Sequence, residues 1–196
     1  MESKQPKPAA TVVLVRDAPD DLEILMLLRN SKLVFNGGHW VFPGGRIDAE
    51  DYLSEYPGQE YHAARQAAVR ETNEEAGIDI DVDALIHTAH WTTPDNLPRR
   101  FSTWFFMCPL YDEVDVTVDQ GEILDYQWIT PARALEASNN GEIKIPRPTT
   151  VTLQDLQPYS CIEDVLTGLS RQKIRVFPKD SEFYRPKEMG FISRSG

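Results

Sequence analysis

Short runs of apolar and β-branched residues mark the first part of the chain. Two of them, Ala10–Arg16 and Leu22–Arg29, flank the turn-forming residues Pro19–Asp21, and they predict two strands joined in a hairpin. A third run, His39–Phe42, stops at Pro43-Gly44-Gly45 and predicts another short strand. The hydrophobic pattern therefore predicts a small sheet at the start of the chain.

The segment from Gln59 to Ala76 has a different composition, rich in alanine, arginine, glutamine and glutamate, which are good helix formers. Gly77 follows at the position where a helix C-terminal stop belongs. Because small alanine side chains recur on one side, we predict a helix that packs closely against a sheet. The preceding residues, 46–58, contain Pro57-Gly58 and several acids, and they predict a loop with room for a helical turn.

Further apolar runs continue the pattern downstream. They predict three strands, at 84–93, 100–110 and 122–129, followed by three short helices, at 131–137, 148–156 and 162–169. Thr130 is the predicted N-cap of the first of these helices, with Pro131 at its first position. An order of strands, one helix, strands and then helices predicts an α+β fold, with a mixed sheet flanked by helices, rather than a doubly wound parallel sheet.

The composition is that of an ordinary globular domain, with 41% hydrophobic and 26% charged residues among 196. No apolar run approaches the roughly 20 residues that cross a membrane, so we expect no membrane partner. The N-terminus lacks the apolar core of a secretory signal, and residues 1–8 are predicted to be a flexible arm. Cys108 and Cys161 are too few for a disulfide framework, which favours buried thiols in a reducing, cytoplasmic compartment.

The net charge of −11 makes a nucleic-acid duplex an unfavourable partner. The charge is uneven, because residues 171–196 carry seven Lys and Arg against three Asp and Glu, whereas the first 170 residues hold about −15. We therefore divide the chain into the arm, a domain at 9–170 and a basic tail at 171–196, which we expect to dock on the domain or on a partner subunit. The number of subunits stays open, and a homodimer is compatible with the pattern.

The strongest candidate for chemistry is the set Glu71, Glu74 and Glu75. At i, i+3 and i+4 of the predicted helix they share one face, with Cβ atoms roughly 5–6 Å apart, where like charges repel. A bound Mg²⁺ or Mn²⁺ would turn that repulsion into attraction, because both ions prefer carboxylate oxygens. Arg70 lies four residues before Glu74 and can orient its carboxylate.

The glycines Gly44 and Gly45 fit the same site. Without a Cβ their backbone can approach closely, so a carbonyl can bind a metal and amides can face a phosphate. The metal would polarise a phosphoryl oxygen and lower the pKa of a bound water. A solvated acidic helix face is the alternative for a bare carboxylate pattern, and the accompanying Arg70, Gly77 and glycine pair favour the metal site.

Gly45, Asp51 and Arg70–Ile78 together resemble the Nudix box. The match departs from the family pattern at three points: Asp51 occupies a position where Glu is usual, Thr72 occupies an aliphatic position, and 18 residues separate Asp51 from Arg70, more than the pattern has. The added length lies at about 52–62. We expect it to lengthen the loop before the helix without touching the ligands.

The resemblance covers roughly residues 9–157. The family implies an α/β/α sandwich and divalent-metal-dependent hydrolysis of a diphosphate linkage in a nucleoside diphosphate derivative.

Four segments, 42–48, 91–94, 100–106 and 122–128, are similar to one branch of the family. This branch has a long insertion in the box and includes peroxisomal coenzyme A diphosphatases. Ser102 and Trp104 differ from the Asp and Arg that are expected at these positions in the branch.

The resemblance also implies roles for individual residues. Arg70 would orient the carboxylates, and Glu71 would take part in catalysis. Glu122 is our choice for the general base, which varies in this family, and Asp119 and Glu71 are its rivals; an exposed acid at a strand start is the alternative for Glu122. The implied ligands of Mg²⁺ or Mn²⁺ are Glu71, Glu74, Glu75 and the Gly44 carbonyl.

Substrate binding is predicted for two arginines and two tryptophans, namely Arg46, Arg100, Trp91 and Trp104. Either tryptophan can stack on a base, and core packing is the alternative for both. Arg100 can bind a phosphate, and a solvated pair with Arg99 is its alternative. His87 and His90, in an apolar strand, are predicted to be structural rather than catalytic.

The substrate stays open among coenzyme A derivatives, ADP-ribose and other nucleoside diphosphate sugars. A catalytically silent Nudix domain, acting as a nucleotide sensor or protein-binding module, is the main alternative, although such domains usually lose box carboxylates. An acidic scaffold protein does not explain the joint occurrence of Pro43-Gly44-Gly45, the carboxylates and Gly77.

Overall fold

The computed structural model describes residues 5–19 and 21–192, and eight strands and four helices lie within them. The strands are β1 (Lys7–Asp17), β2 (Leu22–Arg29), β3 (Trp40–Val41), β4 (Gly44–Arg46), β5 (Ile86–Thr92), β6 (Phe101–Leu110), β7 (Ile123–Ile129) and β8 (Arg175–Phe177). The helices are α1 (Glu60–Ala76), α2 (Pro131–Asn139), α3 (Arg147–Leu156) and α4 (Ile162–Arg171). Single turns of 3₁₀ helix lie at Ala49–Asp51 and Val82–Ala84.

The strands of this part of the chain form one mixed sheet in the order β3-β2-β1-β6-β5-β8, with β4 beside β1 and β7 beside β2. β1 runs parallel to β6, and β5 runs parallel to β8. The other pairs are antiparallel, including the predicted hairpin of β1 and β2, in which Val15 lies opposite Ile24. The predicted α+β class with a mixed sheet is confirmed.

β1 and β2 pair only near their shared turn and then separate. Beyond that point β1 pairs with β4, with Thr11 opposite Gly44, and β2 pairs with β3, with Leu27 opposite Val41. The segment that carries β3 and β4 therefore bridges the gap, and the Val12 amide donates to the Pro43 carbonyl across 3.0 Å. The sequence predicted β3 but not β4, because glycines weaken strand propensity and only the pairing with β1 extends them.

Helices cover both faces of the sheet, as in the predicted α/β/α sandwich. Alternation along β6 shows the two layers: Trp104 and Phe106 face α1, whereas Phe105 and Met107 face the layer of α2, α3 and α4. The buried alanines of α1 allow the predicted close approach to the sheet. Among residues 5–19 and 21–192, none of the helices is both long and apolar enough to span a bilayer.

The two ends of the chain differ from the expected boundaries. Lys7 and Pro8, assigned to the flexible arm, belong to β1, where Lys7 lies opposite Phe101. Residues 1–4 and 193–196 fall outside the described part. In the tail, β8 pairs with β5, and the Tyr61 amide of α1 donates to the Met189 carbonyl across 2.9 Å. The sequence analysis did not predict β8. This three-residue strand shows no hydrophobic pattern, because backbone hydrogen bonds rather than alternating side chains hold it in the sheet.

The two cysteines are not bonded to each other. Cys108 is buried, as expected, and burial raises the pKa of its thiol to about 11. Cys161 is only partly buried and occupies the N-cap position of α4. The expectation of two buried thiols therefore holds for Cys108 alone.

Candidate active site

Helix α1 places its three glutamates at different depths. It ends where predicted, at Gly77, whose φ of 68° is left-handed and whose amide donates to Asn73. The Glu75 side chain is 7% exposed and the Glu71 side chain 15%, whereas Glu74 is 57% exposed. Glu71 and Glu75 thus point towards the sheet, and Glu74 lies at the solvent edge.

The glycine pair makes this approach possible. The Gly44 amide donates to Glu75 Oε2 across 2.9 Å. A Cβ on Gly45 would lie 2.2 Å from Glu71 Oε1, and one on Gly44 would lie 2.3 Å from the Ala10 carbonyl oxygen. A larger residue at position 45 would clash with the Glu71 carboxylate, and a larger residue at position 44 would push β4 away from β1. The interaction with the glutamates uses the Gly44 amide, and the predicted role of its carbonyl stays a prediction.

Arg70 joins the two halves of the motif. Its guanidinium forms a paired contact with the buried Asp51, at 3.0 Å from Nε and 2.9 Å from Nη2. It also donates to Glu71 at 2.9 Å and to Glu74 at 3.2 Å. The hydrogen bond to Asp51 is the main cause that raises the pKa of Arg70 above its already high usual value. Asp51 therefore reaches Arg70 despite the insertion, because the 3₁₀ turn brings it back to the helix.

Arg29 is a member of the site that the sequence analysis missed. It is the last residue of β2, and its guanidinium lies 3.4 Å from Glu75 Oε1 and 3.2 Å from Glu122 Oε2. Its side chain is 17% exposed, and its buried Nε has no hydrogen-bond partner within the described chain. The available signal was an arginine directly after the apolar run of β2, where the strand leaves the core.

The carboxylates of the site repel one another. Burial raises the pKa of Glu75 to about 8, and Glu71 and Glu122 add to the shift, while the Gly44 amide and Arg29 oppose it. Burial also raises the pKa of Glu71, with smaller contributions from Glu74 and Glu122. Glu122 thus acts electrostatically on both buried glutamates, although it follows them by more than forty residues in the sequence.

This donor set fits a hard divalent cation in its chemistry, since it offers several carboxylate oxygens and an excess of negative charge. In the part of the chain that is described, however, no three His, Cys, Asp or Glu side chains already converge on one point that could hold a metal ion. Arg29 and Arg70 instead contact the carboxylates. Binding a cation requires the glutamates to exchange some of these contacts for metal bonds.

Asp119 and Glu122, the two downstream candidates for the general base, differ in the contacts that their carboxylates make. Asp119 accepts hydrogen bonds from three backbone amides of its own loop, those of Gly121, Glu122 and Ile123, at 2.8 to 3.2 Å. The Asp119 carboxylate therefore stabilises the conformation of its own loop. The Glu122 side chain is 62% exposed and contacts Arg29. Between the two, the geometry favours Glu122.

Two of the four predicted substrate residues are buried inside the protein. Trp104 has no exposed surface, and its indole Nε1 donates to Glu60 at 2.8 Å, so the predicted contact with substrate is wrong. Arg100 is 8% exposed, donates to the Thr93 carbonyl and lies 5.4 Å from the Phe183 ring centroid, which argues against a phosphate-binding role. Trp104 is covered by the hydrophobic core, and Arg100 is covered by a contact with Phe183 of the tail.

The other two predicted substrate residues remain accessible. Arg46 has a 56% exposed side chain, 3.8 Å from Asp48. Trp91 is partly buried, and Phe177 of β8 stacks on it with ring centroids 3.8 Å apart and planes at 13°. Their roles stay predictions.

His87 and His90 are structural, as the apolar strand indicated. Burial lowers the pKa of His87 to about 3 and that of His90 to about 4, so both rings are neutral. Each has one hydrogen-bonded ring nitrogen: His87 Nε2 donates to the Ala89 carbonyl, and His90 Nε2 pairs with the Ser102 hydroxyl. Their Nδ1 atoms are buried without a partner in the described chain.

Two curated proteins resemble this chain over part of their length. A Putative nudix hydrolase 7 of Caenorhabditis elegans is 28% identical over 183 residues, covering 76% of this chain and 59% of that protein. The acyl-coenzyme A diphosphatase NUDT19 of Homo sapiens is 34% identical over 102 residues, covering 46% of this chain and 27% of that protein. The chain therefore spans less than two thirds of the length of these curated relatives.

The fold has a close counterpart among solved structures. A NUDIX hydrolase from Alicyclobacillus acidocaldarius superposes with a TM-score of 0.75 at 23% identity, covering 86% of this chain and 99% of that one. The model of the NUDIX domain family matches residues 5–147, which include the glycine pair, the insertion, α1 and Glu122. With most of the chain matched, and with the box contacts in place, the protein belongs to the Nudix family.

Proposed function

We propose that the protein hydrolyses a diphosphate linkage in a nucleoside diphosphate derivative, with a divalent cation as cofactor. The observation that carries the proposal is that Glu71 and Glu75 lie beside the glycine pair, with Arg70 in contact with Glu71 and Arg29 in contact with both Glu75 and Glu122. Family membership supports the reaction class. The identity to an acyl-coenzyme A diphosphatase favours coenzyme A derivatives as substrates, ahead of ADP-ribose and nucleoside diphosphate sugars.

The cation would be Mg²⁺ or Mn²⁺, held by Glu71, Glu74 and Glu75 with the Gly44 carbonyl. When bound, it neutralises phosphate charge and lowers the pKa of a water that attacks phosphorus. Arg70, anchored by Asp51, orients Glu71 and Glu74, and these glutamates would exchange part of their contact with Arg70 for the cation.

Other residues handle the proton and the substrate. Glu122, with Glu71 as its rival, accepts the proton of the attacking water, whose oxygen forms a new bond to phosphorus. The bond from phosphorus to the bridging oxygen breaks, and the bridging oxygen leaves on the second phosphate. Arg46, which is exposed at the end of β4, would pair with that phosphate.

A release assay over a panel of diphosphates tests the proposal, with Mg²⁺, with Mn²⁺ and with chelator, and with added phosphatase to liberate phosphate. We expect cation-dependent release from at least one nucleoside diphosphate derivative and its loss in Glu75→Gln. Release that is equal in wild type and Glu75→Gln would contradict the assignment of the site.

A nucleotide-binding domain without hydrolysis is the second candidate. It is favoured by one observation, that arginines rather than a preformed cation site occupy the carboxylates of the described chain. Calorimetry separates the two: a sensor binds a diphosphate from the panel tightly and leaves it intact in the presence of either cation.

A further inference from the structure

We infer that Asn30 and Asp119 are positioning residues, which hold the proposed general base, Glu122, beside the end of β2. This inference rests on the proposed function. Glu122 directly precedes β7, and its side chain is 62% exposed, so packing of the side chain does not fix its place. The position of its carboxylate therefore depends on how the backbone of its loop is held.

The end of β2 holds this loop from one side. The Asn30 amide donates to the Glu122 carbonyl across 2.7 Å, and the Asn30 side-chain Nδ2 donates to the Gly121 carbonyl across 2.9 Å. The Asn30 side-chain oxygen accepts from the Lys32 amide at 3.1 Å, which turns the Nδ2 end of the carboxamide towards the loop. The preceding residue, Arg29, contacts the Glu122 carboxylate itself.

Asp119 holds the same loop from within. Its Oδ2 accepts from the amides of Gly121 at 3.2 Å and Glu122 at 2.9 Å, and its Oδ1 accepts from the amide of Ile123 at 2.8 Å. Ile123 has no exposed surface, so the last of these bonds ties the loop to the first core residue of β7. Hydrogen bonds to an ionised carboxylate are stronger than those between neutral groups. Both backbone groups of Glu122 are therefore fixed, the carbonyl by Asn30 and the amide by Asp119.

Two backbone features show how closely the loop is adapted to this arrangement. Gln120 has a φ of 60°, a left-handed conformation that is uncommon for residues other than glycine. A Cβ on Gly121 would lie 2.9 Å from Asp119 Oδ2, so a side chain there would displace the carboxylate. A disfavoured conformation of this kind persists only where the surrounding contacts enforce it. The contacts of Asn30 and Asp119 do so here.

A fixed backbone under an exposed carboxylate suits a residue that accepts a proton from water. A general base has to lie within hydrogen-bond reach of the proton that it removes. If the loop is released, the Glu122 carboxylate samples many positions and seldom reaches the attacking water. Binding of the diphosphate does not depend on that position. Loss of either positioning residue should therefore lower kcat and leave KM unchanged.

Kinetics of Asp119→Ala in the wild-type and the Glu122→Gln backgrounds test the inference, with the diphosphate panel and Mg²⁺. In the wild-type background we expect kcat to fall about thirtyfold, because a positioned general base contributes roughly a hundredfold or more. In the Glu122→Gln background the same substitution should change kcat less than about twofold. Asn30→Ala should show the same dependence with a loss of about threefold, since its backbone amide still holds the Glu122 carbonyl.

Two variants serve as controls. Asp119→Asn keeps one side-chain oxygen as an acceptor and should recover most of the kcat that Asp119→Ala loses. Asp115→Ala removes an exposed acid from the same connection between β6 and β7 and should change nothing. Hydrogen exchange at the amides of Gly121 and Glu122 should be faster in Asp119→Ala alone, while thermal melting verifies that each variant is folded.

The outcomes separate this inference from the proposed function. Equal losses of kcat in both backgrounds, an equal loss in Asp115→Ala, or a wild-type kcat in Glu122→Gln would overturn the inference alone, because the wild type still hydrolyses a diphosphate. Absence of hydrolysis by the wild type would overturn the proposed function and the inference with it. Unchanged exchange at Gly121 and Glu122 in Asp119→Ala would show that Asp119 does not hold the loop.

Discussion

Two side-chain clusters that each contain buried titratable groups lie on the α1 side of the sheet, and they are stabilised in opposite ways. The carboxylate–arginine cluster, at the C-terminal end of α1, consists of Arg29, Asp51, Arg70, Glu71, Glu74, Glu75 and Glu122. The aromatic–histidine cluster, under the tail, consists of Tyr61, His87, His90, Trp104, Tyr184 and Phe191. In the first, arginines contact the carboxylates, and burial raises the pKa of Glu75 to about 8; in the second, burial keeps the histidines neutral among aromatic rings.

The difference separates a cluster that we propose to be the active site from one that only packs. In the carboxylate–arginine cluster, mutual repulsion and a raised Glu75 pKa leave a free-energy gain for an incoming cation. In the aromatic–histidine cluster, ring centroids lie 4.6 Å apart for His90 and Tyr184 and 4.9 Å apart for His87 and Trp104, and the rings exclude a ligand. Substitutions should therefore affect activity in one cluster and stability in the other.

The largest expected effect is on catalysis. Glu75→Gln should lower kcat by about 10³-fold or more while the melting temperature stays within a few degrees. The amide keeps an oxygen for the Gly44 amide and resembles the protonated Glu75 that burial favours. Steady-state kinetics and thermal melting measure the two quantities. Glu136→Gln, in the exposed ion pair with Arg133, is the control and should change neither kcat nor the melting temperature. A large decrease in the melting temperature of Glu75→Gln would contradict the distinction between a cluster that affects activity and one that affects stability.

Next comes the core of the other cluster. Trp104→Ala should lower the free energy of unfolding by about 3–5 kcal/mol, because it removes a fully buried ring and leaves Glu60 without its indole donor. Denaturant titration measures the loss. At a temperature where the variant is folded, kcat should stay within about twofold of wild type. A kcat loss comparable to that of Glu75→Gln would place Trp104 in the active site after all.

Acid should destabilise the protein through the aromatic–histidine cluster. The unfolded histidines bind protons near pH 6.5, but the folded ones do so only near pH 4 for His90 and pH 3 for His87. The unfolded state thus binds more protons below pH 6.5, and the free energy of unfolding falls as the pH drops towards 3, by about 3–4 kcal/mol per histidine.

Denaturant titrations at several pH values test this expectation. Replacing one histidine, as in His90→Gln, should flatten the fall between pH 6.5 and pH 4. His39→Gln serves as the control, since His39 lies in the loop before β3, away from this cluster. Identical slopes in His90→Gln and wild type would show that other groups cause the acid sensitivity.

The smallest effect concerns the counter-ion that joins the carboxylates. Arg29→Gln should lower kcat/KM about tenfold, because Glu75 and Glu122 lose the guanidinium between them. A double-mutant cycle with Glu122→Gln measures the coupling. We expect the two losses to be less than additive, and full additivity would mean that Arg29 does not act through Glu122.

The sequence predicted the part of the carboxylate–arginine cluster whose residues lie close together along the chain. The positions of Glu71, Glu74 and Glu75 on one helix face, the stop at Gly77 and the α+β class all follow from spacing and composition. Arg29 could not be found this way, because its partners follow it by 46 and 93 residues and only the sheet brings them together.

The aromatic–histidine cluster was almost invisible in the sequence. Trp104 lies in an alternating strand, and alternation identifies two faces without saying which one is covered. The coverage comes from the tail, where Tyr184 and Phe191 show no period of their own. The prediction that Trp104 contacts substrate failed for this reason.

The contact between Arg70 and Asp51 has a consequence for how such motifs should be searched for and engineered. The two side chains meet although 18 residues lie between them, and residues 54–58 of that stretch are exposed. What defines the box is therefore a set of contacts in space, and the length of chain inside it is a free variable. A search pattern with fixed spacing would reject this protein, and the same exposed loop offers a place to insert a peptide epitope inside the box without displacing its side chains.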